Sequence, residues 1–402
     1  MTDPKIIICG GGPAGLLQAI LFADLGVATT VIEKAKEPDQ WGTKSFTIII
    51  GERGQASLSR GKGCIEAAKE KALPRSFVYI VDAKTGEKKC IPKKVPGLGF
   101  SRSLLVECLE TIASESPLIT IKRGSGVSHV QTLENGRVEV TLDDASNTTL
   151  SATHVIGADG KWSSVRNSYQ TLSEQGEIEE CKSFGVHMMA KKPEGWKNDG
   201  TYVIRPSPEC KFYVIAAPLA TGELSISMVC YKDTLERYRF LEPPKDGTSK
   251  GWEGEYSALP STEAGNSLLS KQLADLFEKE LPAFYKMIGA DAFNTARVNR
   301  YVSWFHVKGD VEDVSYSTSD GKVTLIGDAA HAITPSMGEG CNTAMESATK
   351  LIDSVVAEMK ILKTTQCTSE ILSKAFINYG TSRPKDAIPI QQKSAAASNT
   401  MR

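Results

Sequence analysis

The sequence predicts a mixed α/β (α+β) fold in which a parallel-sheet domain is interleaved with a second, sheet-rich domain. A glycine-rich strand–helix–strand pattern occupies residues 6–33, and strand patterns dominate from about residue 179 to 300. The strand Val323–Ile326 then returns to the style of the first domain and leads into another glycine-containing turn. The 402 residues exceed what one hydrophobic core usually holds, so two domains are expected.

The glycine-rich pattern begins with Ile6–Ile8, an apolar run typical of a strand buried on both faces of a parallel sheet. Gly10, Gly12 and Gly15 follow at the spacing GxGxxG. This spacing permits a tight turn, lets a pyrophosphate approach bare backbone, and lets the next helix press on the strand.

The helix predicted at Pro13–Leu25 ends before Gly26, a residue suited to a helix C-cap. Its N-terminus carries about half a positive charge, which favours a diphosphate. The second strand, Ala28–Ile32, is followed by Glu33, whose carboxylate would accept hydrogen bonds from both ribose hydroxyls of an adenosine. We therefore predict dinucleotide binding, with an ordinary glycine-rich turn as the alternative.

The remaining elements follow from apolar periodicity. A helix is predicted to open at Glu52, another at Ser101 with Ser101 or Ser103 as its cap, and a third at Leu268–Met287. Residues 76–98 are interpreted as a hairpin at a sheet edge, and residues 242–265 as a linker. The predicted strands are Phe46–Ile50, Ile119–Lys122, Val127–Thr132, Arg137–Leu142, His154–Ile156, Phe184–Met189, Thr201–Arg205, Phe212–Ala217 and Leu224–Tyr231.

Composition excludes several classes of protein. A net charge of −1 gives no reason to expect a nucleic-acid or anionic-membrane partner. The nine cysteines lack any CxxC pair, which argues against a disulfide framework or a zinc site, and no metal is expected. With no signal peptide, no membrane span and no tail anchor in sight, we expect a cytoplasmic protein.

Two further clusters follow predicted strands. Asp159 and Gly160 come after His154–Ile156, although a plain Asx turn after the strand would be the better explanation if this cluster stood alone. Gly327 and Asp328 come after Val323–Ile326, and a carboxylate there would accept hydrogen bonds from a polyol chain.

The second of these clusters continues into a loop at the start of a helix that runs to about Met359. Gly338 and Gly340 free backbone N–H groups there, and such donors stabilise negative charge on a bound ring, as on the N1–C2=O edge of a reduced flavin. His331 looks like an acid/base, but we expect it to pack and hydrogen-bond beside the turn.

Together the three clusters resemble those of the FAD-dependent aromatic hydroxylases, the single-component flavoprotein monooxygenases, and within them the kynurenine 3-monooxygenase branch. The likeness rests on Gly10–Gly15 with Glu33, Arg102 at its helix start, Gly157–Gly160, and Gly327–Asn342. It implies a para-hydroxybenzoate hydroxylase-like fold, namely a Rossmann-like FAD-binding domain with an interleaved substrate domain.

The resemblance also implies roles for individual residues. Pro335, Gly338, Gly340 and Asn342 would line the isoalloxazine and the substrate cavity, and no side-chain nucleophile is expected. The implied cofactor-binding residues are Gly10, Gly12, Pro13, Ala14, Gly15, Glu33, Lys34, Arg53, Arg102, Val127, Asp159, Gly160, Gly327, Asp328, Pro335, Gly338, Gly340, Cys341 and Asn342.

We expect residues 1–75, 99–178 and 296–365 to form the FAD-binding domain. Residues 76–98 and 179–295 would form the substrate-binding domain, and residues 366–402 a C-terminal helical segment.

The implied activity is hydroxylation of a small aromatic or related substrate, with NAD(P)H as transient co-substrate and O2 activated as a flavin C4a-hydroperoxide. A flavoprotein halogenase or reductase, and a non-catalytic flavin-binding module, are the alternatives. The five tryptophans are never two residues apart, so the WxWxIP stretch of flavin halogenases is missing. A monomer or homodimer is expected.

Two positions depart from the family pattern. Glu339 stands where the family usually has Gln, and Ser347 where it usually has Asp. We expect Glu339 to point to solvent, since an ionised carboxylate aimed at the flavin would oppose the anionic reduced ring. Kynurenine itself is in doubt, because residues 83–101 and 384–402 contain no Tyr to hold its carboxylate.

Overall fold

The computed structural model describes residues 4–37, 47–206, 210, 212–242 and 263–400. The strands of these residues are β1 (Ile6–Cys9), β2 (Thr29–Glu33), β3 (Thr47–Ile50), β4 (Leu73–Asp82), β5 (Lys88–Ser101), β6 (Ile119–Arg123), β7 (Val127–Thr132), β8 (Val138–Leu142), β9 (Thr149–Ala152), β10 (His154–Gly157), β11 (Gly176–Lys191), β12 (Gly200–Arg205), β13 (Phe212–Pro218), β14 (Glu223–Tyr231), β15 (Arg297–Val307) and β16 (Val323–Leu325). The helices are α1 (Pro13–Asp24), α2 (Glu52–Leu58), α3 (Cys64–Lys71), α4 (Arg102–Ser114), α5 (Ser164–Asn167), α6 (Gln170–Ser173), α7 (Thr234–Arg237), α8 (Glu263–Glu280), α9 (Pro282–Ile288), α10 (Asp328–His331), α11 (Gly340–Ile361) and α12 (Ser369–Thr400).

A five-stranded parallel sheet in the order β16-β10-β1-β2-β6 carries the glycine-rich turn. All four residues of β1 are buried, as its apolar run predicts. Helix α1 packs against α4 and α11. The helix α4 begins where expected, because the Ser101 hydroxyl accepts the backbone N–H of Leu104. The mixed α/β fold predicted from the sequence is thus confirmed.

The second large sheet has eight strands, in the order β15-β11-β14-β13-β12-β4-β5-β3. Its pairs are antiparallel apart from β12 and β4. One face packs on α8 and α9, through Val186, Met188, Ile226, Met228, Leu273, Phe277 and Phe284 among others. The opposite face of β11 carries Gly185, His187 and Met189, which are half-buried. The period of two therefore separates a core face from an open face.

Some details differ from the sequence-based expectations. The helix predicted at Leu268–Met287 is two helices, because Pro282 cannot continue α8 and instead opens α9. The hairpin of residues 76–98 is present as β4 and β5; among the described residues β3 pairs only with Leu98–Ser101, so the hairpin itself lies at a sheet edge, as expected. Strand β9 was not predicted, because its sequence Thr-Leu-Ser-Ala lacks a clear apolar alternation. The predicted linker lies, from residue 243 to 262, outside the described residues.

The C-terminal helix α12 connects the two large sheets. The Tyr379 hydroxyl donates to Leu325 O of β16 at 3.2 Å. The Gln391 amide donates to Phe305 O of β15 at 2.7 Å and to Ala332 O at 2.8 Å. Within the described ranges, none of the helices combines the length and apolarity needed to cross a membrane.

Candidate active site

Four neighbouring parallel strands end at one edge of the five-stranded sheet. They are β1 at Cys9, β2 at Glu33, β10 at Gly157 and β16 at Leu325. Because parallel strands end at the same edge, the turns that follow them meet there. The Ala158 N–H donates to Cys9 O at 2.7 Å, which joins the first two sequence clusters directly.

Two glycines of the first turn leave no room for a side chain. A Cβ on Gly10 would stand 2.2 Å from Ala158 O, at a φ of +112° that favours glycine. A Cβ on Gly15 would stand 2.0 Å from Gly10 O. The tight turn and the close approach of α1 to β1 both depend on these two positions.

Gly12 stands in a more open place. A Cβ there would meet only the Arg102 guanidinium, at 3.6 Å. Gly12 is the N-cap of α1, no side chain caps the helix, and its first turn carries no acidic residue. Pro13 opens the helix, followed by buried Ala14. The uncapped N–H groups and the nearby cation make a suitable place for a diphosphate.

Glu33 is buried and braces the same turn. Its Oε2 accepts the Gly11 N–H at 2.7 Å, and its Oε1 accepts the Ala35 N–H at 2.8 Å. Lys34 is exposed and lies beside Gly126, next to half-buried Val127 at the start of β7. The carboxylate is thus fixed at the strand end where an adenosine ribose is expected.

The Asp159 carboxylate binds the start of α5, whose N-cap residue is Ser163. Its Oδ1 accepts the Ser163 hydroxyl at 2.5 Å and its Oδ2 accepts the Val165 N–H at 3.1 Å. Burial raises the pKa of Asp159 in spite of these hydrogen bonds. Gly160 follows with a φ of +83°. Both carboxylate oxygens of Asp159 are therefore bonded to the start of α5.

Gly327 and Asp328 sit between the starts of α1 and α11. A Cβ on Gly327 would lie 3.3 Å from Ala344 Cβ and 3.4 Å from Ala14 Cβ. The Asp328 side chain is exposed in the first turn of α10. This position leaves the carboxylate accessible to a ligand that runs along the sheet edge.

His331 is buried and structural. Its Nε2 lies 2.7 Å from Ser347 Oγ, and burial, followed by the charge of Arg383, lowers its pKa to about 3. An imidazole with that pKa is neutral at physiological pH and is not an acid/base for turnover. The expectation that it packs beside the turn is confirmed.

The loop before α11 is exposed at Pro335 and Gly338, and Gly340 opens the helix. Asn342 is buried, and its amide is used on backbone. Its Nδ2 donates to Ile49 O and Gly338 O, each at 3.1 Å, and its Oδ1 accepts the Gly51 N–H at 2.9 Å. Asn342 therefore shapes the loop from behind and joins it to β3.

Cys341 lies half-buried at the start of α11. Burial raises its pKa to about 12, with Arg102 lowering it and Asp328 raising it. The thiol thus lies within electrostatic range of the Arg102 guanidinium and the Asp328 carboxylate. Three predicted cofactor residues from separate segments are brought together at this point.

Sequence reasoning missed a network of charges behind the loop. Arg53 Nη2 lies 2.5 Å from Glu339 Oε2, and Arg53 Nη1 lies 3.1 Å from Glu346 Oε2. Buried Arg383 contacts the same Glu346 oxygen at 2.7 Å and donates to Ser347 Oγ at 2.9 Å. The Glu339 side chain, which we expected to point to solvent, is 31% exposed, and its carboxylate pairs with Arg53. The only signal in the sequence was that positions 339 and 347 both depart from the family pattern.

These residues fit FAD. The turn leaves no room for a Cβ at Gly10 and Gly15 and leads into an uncapped helix start, which suits the diphosphate. The carboxylates at two strand ends suit the ribose and ribityl groups. The first turn of α1 carries no acidic side chain that would repel the diphosphate.

A family model described as "FAD binding domain" matches residues 3–251 and 269–360. The chain therefore belongs to the FAD-binding-domain family of flavoproteins. The predicted FAD cofactor and the predicted class, an FAD-dependent monooxygenase, are confirmed.

Individual relatives agree with this assignment. The kynurenine 3-monooxygenase of Dictyostelium discoideum is 26% identical over 376 residues, which cover 88% of this chain and 70% of that protein. The crystal structure of CtdE in complex with FAD superposes with a TM-score of 0.73 at 16% identity, over 98% of this chain and 93% of that one. The tetrameric form of 2-methyl-3-hydroxypyridine-5-carboxylic acid oxygenase gives 0.69 at 18% identity, over 99% and 91%. The two structures share the fold of this chain.

Proposed function

We propose that this chain hydroxylates a small aromatic or related organic substrate, using FAD, NAD(P)H and O2. The observation that carries the proposal is the convergence of three glycine-containing turns at one sheet edge. The names of a relative and of a structural neighbour, a kynurenine 3-monooxygenase and a pyridinecarboxylic acid oxygenase, support an aromatic substrate.

The proposed cofactor contacts come from the ends of the parallel strands and from the starts of nearby helices. The α1 N-terminus at Gly12 and the Arg102 guanidinium would hold the pyrophosphate, and Glu33 the adenosine ribose. Asp328 would bind the ribityl chain. Lys34, Arg53, Val127, Asp159, Gly160 and Cys341 remain proposed neighbours of the cofactor.

FAD, when bound, supplies the redox chemistry, which is acceptance of hydride from NAD(P)H and activation of O2. The chain supplies position and charge. The loop from Pro335 to Gly340 would present the backbone N–H groups of Glu339 and Gly340 to the negative edge of the reduced ring, since the Gly338 N–H already donates to Pro335 O at 3.0 Å. Asn342 holds this loop to β3, so the donors are fixed before the ring becomes charged.

The open face of the eight-stranded sheet is the proposed cover of the substrate. On it His187 Nδ1 lies 2.8 Å from Ser227 Oγ, and burial lowers the pKa of His187 to about 4. This neutral polar pair is flanked by half-buried Met189, Ile215 and Val229. The mixture suits a flat apolar ring with one hydrogen-bonding substituent. Kynurenine belongs in the substrate panel but is not itself the proposal.

The domain boundaries are part of the proposal. Residues 1–75, 99–178 and 296–365 would bind FAD, residues 76–98 and 179–295 the substrate, and residues 366–402 would brace both. In support, the buried residues of one apolar cluster fall within 79–83 and 184–298, whereas those of the cluster around the parallel sheet all lie outside these two ranges. A cytoplasmic location and a monomeric or homodimeric state stay predictions.

Oxidation of NADPH and NADH by the FAD-loaded protein tests the proposal, with a panel of aromatic acids, amines and hydroxypyridines present in turn. We expect one substrate to accelerate oxidation and to yield a product heavier by one oxygen. A protein that retains no FAD would refute the proposal. So would one whose rate of NADPH and NADH oxidation is unchanged by every compound of the panel. Chloride-dependent product would instead indicate the halogenase alternative.

A further inference from the structure

The Arg53–Glu339 pair brings an acidic side chain and its counter-ion to the loop proposed to face the flavin. Glu339 lies between Gly338 and Gly340 and is the N-cap residue of the 22-residue helix α11. Its carboxylate contacts Arg53 at 2.5 Å, with both side chains about one-third exposed. An acid at this place lies next to the backbone donors that would stabilise the reduced ring.

Arg53 is held independently of Glu339. Its Nη1 contacts Glu346, two turns further along α11, and Glu346 is in turn fixed by buried Arg383. The guanidinium therefore has one anchor inside the fold, while its Nη2 contacts Glu339 in the loop and, at 3.4 Å, the Thr343 hydroxyl of α11. Because Glu346 holds Arg53, removal of the Glu339 charge should leave the guanidinium in place.

Charge near the pyrimidine edge of a flavin shifts the relative affinity of a protein for the oxidised and the reduced anionic forms. An uncompensated carboxylate opposes the reduced anion, and an uncompensated guanidinium favours it. The Arg53 guanidinium pairs with the Glu339 carboxylate and so offsets its charge at this loop.

We infer that Arg53 is a positioning residue that balances the charge of Glu339 and thereby sets the reduction potential of the bound flavin. This inference rests on the proposed function. It predicts that loss of the Glu339 charge and loss of the Arg53 charge shift the reduction potential in opposite directions. A merely structural ion pair would not have this effect.

The test measures the midpoint potential of FAD bound to the wild-type protein and to Glu339→Gln, Arg53→Gln and the double variant. Glu339→Gln should raise the potential, Arg53→Gln should lower it, and the double variant should return it toward the wild-type value. Each tenfold change in the ratio of reduced to oxidised FAD affinity corresponds to about 30 mV for a two-electron couple. FAD dissociation constants from fluorescence titration give a second readout that does not depend on turnover.

Asp353→Asn is the matched control. Asp353 also lies on α11 and pairs with an arginine, Arg60, at 2.8 Å. It is 14 residues beyond Glu339, about 21 Å at 1.5 Å per residue. Its loss should leave the potential unchanged.

The outcomes separate the two ideas. A protein that takes up no FAD overturns the proposed function and this inference with it. A protein that takes up FAD, but whose Glu339 and Arg53 variants shift the potential in the same direction or not at all, overturns the inference alone. Thermal unfolding without FAD identifies a variant that has simply lost its fold, and Arg53→Lys, which keeps the charge, then replaces Arg53→Gln and should stay near the wild-type potential.

Discussion

Alanine at Gly12 and at Gly15 should separate cofactor binding from the packing of the turn. A Cβ on Gly15 would stand 2.0 Å from Gly10 O, a backbone atom that cannot rotate away. A Cβ on Gly12 would only touch the Arg102 guanidinium at 3.6 Å, an ordinary contact. Gly15→Ala must therefore push α1 away from β1, whereas Gly12→Ala leaves the unliganded fold as it is.

The magnitudes follow from these contacts. Overpacking costs about 1–3 kcal/mol, and the gain of up to ~1 kcal/mol from replacing a helical glycine by alanine offsets part of it. We expect Gly15→Ala to lower the free energy of unfolding by about 1–2 kcal/mol and Gly12→Ala to change it by less than about 0.5 kcal/mol. A methyl group between backbone and pyrophosphate would break at least one charge-assisted hydrogen bond of about 1.5–3 kcal/mol. Gly12→Ala should therefore weaken FAD binding at least about tenfold.

Denaturant unfolding without FAD and fluorescence titration with FAD measure the two effects separately. Gly26→Ala is the control, because Gly26 has a φ of +75° with open space around it and lies beyond the far end of α1. It should lose about 1 kcal/mol of stability through strain and keep its FAD affinity. Gly12→Ala that binds FAD as tightly as the wild type would show that no pyrophosphate approaches this backbone.

Three further predictions concern single side chains. Exposed Cys90 should react with a maleimide reagent at neutral pH, whereas half-buried Cys341, whose pKa burial raises to about 12, should stay unlabelled. Labelling of Cys341 as fast as that of Cys90 in peptide mapping would contradict this burial. His331 has a folded-state pKa of about 3, below its unfolded value, so the stability tied to its neutral form is complete above pH ~6.5 and lost as pH falls toward 3. The free energy of unfolding should therefore drop by about 2 kcal/mol between pH 6.5 and 5 through this residue, and His331→Gln should flatten that slope in urea titrations. Asn342→Ala should lower the free energy of unfolding by about 2–3 kcal/mol, because the Gly51 N–H and two carbonyls lose their partner. Asn342→Asp, which keeps only the acceptor, should lower it by a similar amount, and urea unfolding that shows no change for either variant would contradict the view that Asn342 holds the loop to β3.

The parallel sheet and its glycine turn could be predicted because their determinants are local. The run Ile6–Ile8 requires burial on both faces, and the spacing of Gly10, Gly12 and Gly15 follows from contacts within one strand–helix unit. Helix and strand types elsewhere followed from periodicity in the same way. The break at Pro282 was readable from the sequence too, since proline opens helices more readily than it continues them.

The charge network could not be predicted, because its members are far apart in sequence. Arg53 meets Glu339 and Glu346 across nearly three hundred residues, and Arg383 comes from α12. A lone arginine on a short helix gives no hint of its partner. What the sequence did contain was a pair of anomalies, Glu339 and Ser347, and both turned out to touch this one network.

The same argument applies to the last helix. Its polar, Ala- and Ser-rich end has no periodic apolar stripe, yet Ser394 is fully buried and its hydroxyl donates to Thr334 O at 2.8 Å. Ser336 donates to Ser394 O at 2.6 Å, directly beside Pro335. Small hydroxyl side chains allow α12 to approach the loop closely while satisfying its backbone groups. The loop proposed to face the flavin is therefore held on one side by Asn342 and β3 and on the other by α12, so its geometry depends on segments almost 350 residues apart in the chain.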